Sequence, residues 1–346
     1  MTDSPRRTMS SVIAAIFVIA ISLPLNLDAA GPPTGTSVGA QAPFLGVEPG
    51  FTSMMLGVYR PPLPNDLREV DVYESLAERR LAILHWYALW GGWKSDFNLR
   101  DLELTAERGS IPLISWEPWS GLPYDPQWTL RESILSGRND DYIESWARGL
   151  AQYGKPVLLR FAHEMHGSSF PWSTGVNGNS VDDYVMSWQR VRVIFSRYET
   201  KNVQWVWNPN SIGDTAPHVY EPIYQSLYPG DDAVDWVGLD IYDTGPELDW
   251  GAPYWRSLPE ILDGSYQALT PITCKPIILA EVGSATIGDD KAAWIRDGLG
   301  SQLPQRFPRV RAVVWFDVIK ERPWIIQTSH AAYSAFIEVW REPHFE

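Results

Sequence analysis

Two glutamates stand where apolar runs end, which is where a carboxyl group can do chemistry. Glu164 lies in Arg160-Phe161-Ala162-His163-Glu164-Met165-His166-Gly167, and Glu281 in Ile278-Leu279-Ala280-Glu281-Val282-Gly283. A carboxylate seldom closes an apolar strand as passive core, because an ion removed from water needs a partner. Two carboxyl groups facing one gap can divide acid–base work. One protonates a departing oxygen while the other meets the positive carbon left behind, as cleavage of a glycosidic bond requires. A gap of about 5–5.5 Å lets the second carboxylate attack directly; about 6.5–9.5 Å admits a water between them. Taken singly, either glutamate could instead make a structural hydrogen bond or sit exposed on a rim.

These side chains need a frame that brings distant segments to one place. Short apolar strands are expected at Met54–Tyr59, Leu81–Tyr87, Ile111–Trp116, Pro156–Phe161, Val203–Trp207, Val234–Ile241, Pro276–Ala280 and Val310–Phe316. Helical patterns fall at Glu74–Arg80, Leu102–Arg108, Val181–Tyr198, Ala292–Leu303 and Ala332–Trp340. Strands separated by helices predict a parallel sheet, and eight such units predict a closed (β/α)8 TIM barrel. Reactive or aromatic residues close several strands: His85 and Trp86, Trp116 and Glu117, Arg160, Trp207 and Asn208, Asp240 and Tyr242, Trp315. That is the end at which barrels carry their sites. No glycine-rich dinucleotide or phosphate loop is seen, and no cofactor is called for.

The run Arg160-Phe161-Ala162-His163-Glu164-Met165-His166-Gly167-Ser168-Ser169-Phe170-Pro171-Trp172 resembles the fourth-strand signature of glycoside hydrolase family 26. The second glutamate and the eight strands extend the likeness over the chain beyond its N-terminal segment. The resemblance implies a retaining β-glycanase with Glu164 as acid/base and Glu281 as nucleophile. The implied substrate is mixed-linkage β-glucan or β-mannan, attacked internally; β-1,3-xylan, a bacterial exopolysaccharide or a noncatalytic glycan-binding barrel are the alternatives. It also implies substrate contacts from His85 and His163, and support of Glu281 by the Tyr242 hydroxyl. Trp315 would floor the cleavage point, with Phe170 and Trp172 on the leaving-group side and Trp116, Trp119, Trp207 and Asn208 further along the rim. His166 is a further expected substrate contact; it departs from the asparagine usual in the family and could carry charge near neutrality.

Such a mechanism needs unequal proton affinities. Burial and a negative Glu281 would raise Glu164, while donors such as Arg160 or Tyr242 would keep Glu281 ionised. Arg160 serves equally well as a buried ion-pair support for the barrel, and Asp240 is expected to be structural.

Composition narrows the partners. The net charge of -14 gives no attraction to phosphate backbones, so nucleic acid is excluded while a neutral β-linked glycan is not. Eighteen Trp and fifteen Tyr suit a cleft that stacks on sugar rings, although any one of them could be core. Nothing calls for an obligate protein partner. The lone Cys274 excludes an intramolecular disulfide and is expected to be a small buried residue. No histidine spacing suggests a metal site; Asp231-Asp232 and Asp289-Asp290 are read as solvated turns in preference to calcium ligands. Arg6 and Arg7 precede the apolar run Val12–Leu23, so residues 1–30 read as an export signal. Asp28 disturbs the cleavage site, which leaves a retained membrane anchor as the alternative to a secreted or periplasmic protein. Residues 31–50 read as a loose lead-in and 51–346 as one catalytic domain.

Overall fold

The computed structural model describes residues 53–91, 96–119, 128–212, 216–246, 254–285 and 289–346. The expected export signal and lead-in lie outside them. Its strands are β1 (Met55–Tyr59), β2 (Ile83–Leu89), β3 (Ile111–Glu117), β4 (Val157–Phe161), β5 (Val203–Trp207), β6 (Trp236–Asp243), β7 (Ile277–Ser284) and β8 (Val310–Phe316). Each pairs in parallel with the next and β8 pairs with β1, closing a (β/α)8 barrel. The helices are α1 (Arg68–Ala77), α2 (Leu99–Glu107), α3 (Asp140–Tyr153), α4 (Val181–Ser196), α5 (Pro217–Leu227) and α6 (Leu258–Leu269). After them α7 (Asp289–Trp294) continues through a π-helical stretch into α8 (Leu303–Arg306), and α9 (His330–Trp340) ends the fold. Three of these, α3, α5 and α6, were not among the expected helices. In α5 the internal Pro222 obscures the pattern, and α6 begins with a Ser257–Glu260 capping box and Pro259 in its first turn. Among the described residues, no helix is long and apolar enough to cross a membrane.

Side chains alternate along each strand between the barrel interior and the helix layer. Ile83, Leu113, Leu158, Val206, Ile278, Ala280, Ala312 and Val314 fill the interior. Their neighbours Leu84, Ile114, Leu159, Trp205, Trp207, Leu279, Val313 and Trp315 pack outward, in one cluster with α-helical residues such as Trp146, Trp188 and Phe336. One irregularity has a purpose. Leu239 pairs with Leu279 but Asp240 pairs with Glu281, so Ala280 is an extra residue on β7. Strict alternation from Ile278 would turn Glu281 toward the helices; the bulge returns it to the barrel mouth.

Cys274 is exposed, not buried. It lies in the turn between α6 and β7, before the buried run begins.

Candidate active site

Glu281 receives three side-chain hydrogen bonds from the protein around it. Tyr87 and Tyr242 each donate a hydroxyl to it, at 2.5 Å to Oε1 and Oε2 respectively. Arg160 adds a guanidinium hydrogen bond to Oε1 at 2.6 Å. Burial alone would raise this carboxyl, but the Arg160 charge and the hydroxyl donors outweigh it and hold Glu281 down to about 2. The other arm of Arg160 pairs with Asp240, and Ser115 on β3 both contacts Arg160 and meets His85 Nε2 at 2.8 Å.

Glu164 is built differently. It follows β4 in a loop where Ala162 and Glu164 both take left-handed backbone, at φ 45° and 52°. Its N–H donates to the Asn208 carbonyl at 2.7 Å, and its own carbonyl accepts from Gly167 N. Non-glycine residues adopt this conformation at a cost and only where their surroundings enforce it. Burial and the negative charge of Glu281 push the Glu164 carboxyl up to about 7. It hydrogen-bonds Asp240, and burial raises that carboxyl too against the pull of Arg160, so the two hold a proton between them. Asn208 Nδ2 donates to Asp240 at 2.9 Å. Gly238 makes room for that amide: a Cβ there would lie 2.0 Å from Asn208 Oδ1.

The four side chains Glu281, Arg160, Asp240 and Glu164 therefore form one connected chain across the barrel mouth. The sequence placed Glu164, Glu281, Arg160, Asn208 and Tyr242 together, and the structure does too. His163 is beside them, buried and pushed well below its ordinary proton affinity by that burial, so it is neutral. Its ring meets Phe170 at 4.7 Å.

Other expected contacts are corrected. Trp315 is fully buried on the outer face of β8, against Trp294 of α7 and Phe336 of α9, and its indole donates to the Trp324 carbonyl. Trp207 likewise faces α5, 5.0 Å from Tyr228, and Trp116 faces Trp146 of α3. None of the three can floor a cleft, because each has the outward parity of its strand. Their inward neighbours are Phe316, Asn208 and Glu117. Trp172 is also buried; it stacks under Phe170 at 4.4 Å and donates its indole to the His163 carbonyl. His85 lies beneath Tyr59 and Tyr87 with no exposed surface, pushed down to about 3 by burial and by Arg160. It supports the tyrosines and does not reach substrate. His166 packs edge-on against Tyr220 and Tyr224, and burial pushes it down to about 4, so it carries no charge at neutrality.

Sequence reading gave no role to several residues that the inward parity of their strands would have singled out. Tyr59 stacks on Phe316 at 4.8 Å and meets Tyr87 edge-on at 4.9 Å. Tyr242 leans on Trp324 at 4.8 Å, which no strand pattern could reveal because Trp324 comes from the segment after β8. Glu117 ends β3 with 6% of its surface exposed, and burial pushes its carboxyl up to about 7. Asp231, considered as a calcium ligand, accepts hydroxyls from Tyr228 and Thr273 at 2.6 Å each. Among the described residues, no three His, Cys, Asp or Glu are grouped to hold a metal.

Comparison with known proteins agrees with this geometry. Residues 132–271 match the family model described as Glycosyl hydrolase family 26. The chain is 34% identical over 275 residues to Endoglucanase H of Acetivibrio thermocellus, covering 78% of this chain and 28% of that protein. A Vibrio sp. protein named Beta-1,3-xylanase TXYA is 33% identical over 113 residues, 32% of this chain and 22% of the relative. The chain thus spans about a quarter of the length of these relatives. Among solved structures, the catalytic domain of the Bacillus sp. JAMB-750 GH26 endo-beta-1,4-mannanase superposes with a TM-score of 0.63 at 16% identity, over 85% of this chain and 87% of that one; at such identity it speaks for the fold alone. The family match thus puts residues 132–271, with Glu164, Asn208 and Asp240, in glycosyl hydrolase family 26, and the identity to Endoglucanase H extends that likeness over 78% of the chain.

Proposed function

We propose that this chain is a retaining, endo-acting glycoside hydrolase that cleaves a β-1,4-type polysaccharide backbone, mixed-linkage β-glucan or β-mannan. One observation carries the reading: Glu281 is held ionised by Arg160 and two tyrosines, while burial and the Glu281 charge raise Glu164 in the same mouth to about 7. In the first step Glu164 gives its proton to the glycosidic oxygen and Glu281 bonds to the sugar carbon, releasing one chain end. The ester leaves Glu281 uncharged, so the repulsion that raised Glu164 disappears and Glu164, now ionised, stays so. It then takes a proton from water, whose hydroxide part displaces Glu281 and restores both groups. The resemblance to family 26 supports direct attack by Glu281, hence retention.

Half-buried Tyr59, Tyr87, Tyr242 and Phe170 offer ring faces and hydroxyls to a neutral sugar. The endoglucanase named above favours a glucan. The N-terminal pattern supports export to the periplasm or beyond the cell, with an uncleaved anchor as the alternative; mass measurement of the N-terminus of secreted protein distinguishes them. The decisive assay follows new reducing ends on barley β-glucan, glucomannan, mannan and β-1,3-xylan, with product anomers recorded during early turnover. Release of the β-anomer first is expected; release of the α-anomer, or no release from any polymer, overturns the reading.

A further inference from the structure

Glu117 stands beside the reacting carboxyls, yet neither step uses it. Its Oε2 accepts from Trp119 Nε1 at 3.1 Å. Its Oε1 lies 3.8 Å from Nε2 of neutral His163, beyond hydrogen-bond reach. Arg160 is committed to Glu281 and Asp240. Among the described residues, Glu117 is thus a buried carboxyl with one side-chain donor and no cation paired to it. Such a group is costly to keep, and glutamine would serve Trp119 as an acceptor without the charge. Oε1 is thereby left for a donor from outside the protein's own packing.

The surroundings indicate which donor. The proton affinity of the Tyr59 hydroxyl is raised by burial and then by both Glu281 and Glu117, so both charges act on the same tyrosine. Tyr59 meets Tyr87 edge-on, and Tyr87 holds Glu281. A sugar ring seated between Glu164 and Glu281 would meet this wall, because Tyr87 holds Glu281 and His163, the residue before Glu164, lies 3.8 Å from Glu117 Oε1. A carboxylate accepts a hydroxyl proton about twice as strongly as a neutral oxygen does. We propose that Glu117 Oε1 accepts a hydrogen bond from a ring hydroxyl of the sugar attacked by Glu281, and so helps to select that sugar. The assignment rests on the glycosidase reading above.

The test uses the full chain with Glu117→Ala and Glu117→Gln. On the polymer that the wild type cleaves best, Glu117→Ala should lower kcat/KM by about 10- to 100-fold, and Glu117→Gln by less. Thermal transitions should be equal to or above that of the wild type, since a buried charge has gone. Aryl cellobiosides lacking single hydroxyls on the ring next to the aryl group then locate the contact. The wild type should lose a similar factor at one ring position, and Glu117→Ala should lose nothing further there. Unchanged kcat/KM in both variants, or additive losses at every position, overturns the assignment. If Glu117→Ala folds poorly, Glu117→Gln on the same panel decides. A wild type inert on every polymer and aryl glycoside overturns this proposal together with the hydrolase reading; an active wild type with unaffected variants overturns this proposal alone.

Discussion

Glu281 and Glu164 are the same side chain in two different electrostatic rooms. Glu281 sits on a strand, at a bulge, and receives two tyrosine hydroxyls and a guanidinium. Glu164 sits in a loop in left-handed backbone, and its side-chain neighbour is another carboxyl. Glu281 is the more deeply buried of the two, so depth cannot be what lowers its proton affinity below that of Glu164. The separation comes from the direction of one arginine: Arg160 gives one arm to the nucleophile and the other to Asp240, and none to Glu164. Opposite shifts in proton affinity are thus produced by hydrogen-bond topology and not by depth.

The largest expected effects test whether the two roles differ. Glu281→Ala should lower kcat on polymer by on the order of 10⁴-fold or more, and Glu164→Ala by about 10² to 10⁴-fold. An aryl glycoside whose leaving group needs no proton should rescue the first step in Glu164→Ala but not in Glu281→Ala. Equal losses of both variants on both substrates would erase the distinction.

Arg160→Met comes next, because it removes the asymmetry itself. Leaving two carboxyls buried without their cation should cost about 3–5 kcal/mol, read from denaturant melts. Activity requires ionised Glu281, which Arg160 holds at about 2; without it the acid limb of kcat/KM should move to higher pH. An unmoved limb would show that the tyrosines suffice. Tyr87→Phe and Tyr242→Phe each remove one donor to Glu281 and should each lower kcat/KM by about 10-fold or somewhat more, with a smaller shift in the same direction.

The alkaline limb belongs to the other room. Glu164 must keep its proton, so activity should fall as pH rises through about 7. In Glu281→Gln the repelling charge is gone, and titration of the Glu164 carboxyl followed by NMR should move to lower pH. The smallest catalytic effect should come from Trp315→Phe: a lower melting temperature from lost packing against α7 and α9, with KM on polymer unchanged. A raised KM would return Trp315 to the cleft.

That last pair of outcomes bears on what the sequence could reveal. The barrel was legible because eight apolar runs alternate with amphipathic stretches, and the two glutamates because carboxyls are rare at the ends of such runs. Which face a strand-end residue takes was not legible. At Trp207 and Trp315 the conspicuous aromatic points outward, and the neighbour one place on, Asn208 or Phe316, points in. At Glu281 even strict alternation would mislead, since Ala280 shifts the count by one. Trp324 and the Tyr87 contact depend on segments meeting across the closed mouth, which strand spacing does not encode.

The left-handed backbone at Glu164 sets folding against chemistry at a single position. Glycine there would relieve about 1–2 kcal/mol of local steric cost, and asparagine tolerates the same conformation better than glutamate does. A screen that rewards heat resistance alone would therefore drift toward losing the proton donor. A screen that rewards product release would have to keep a residue the fold itself would discard.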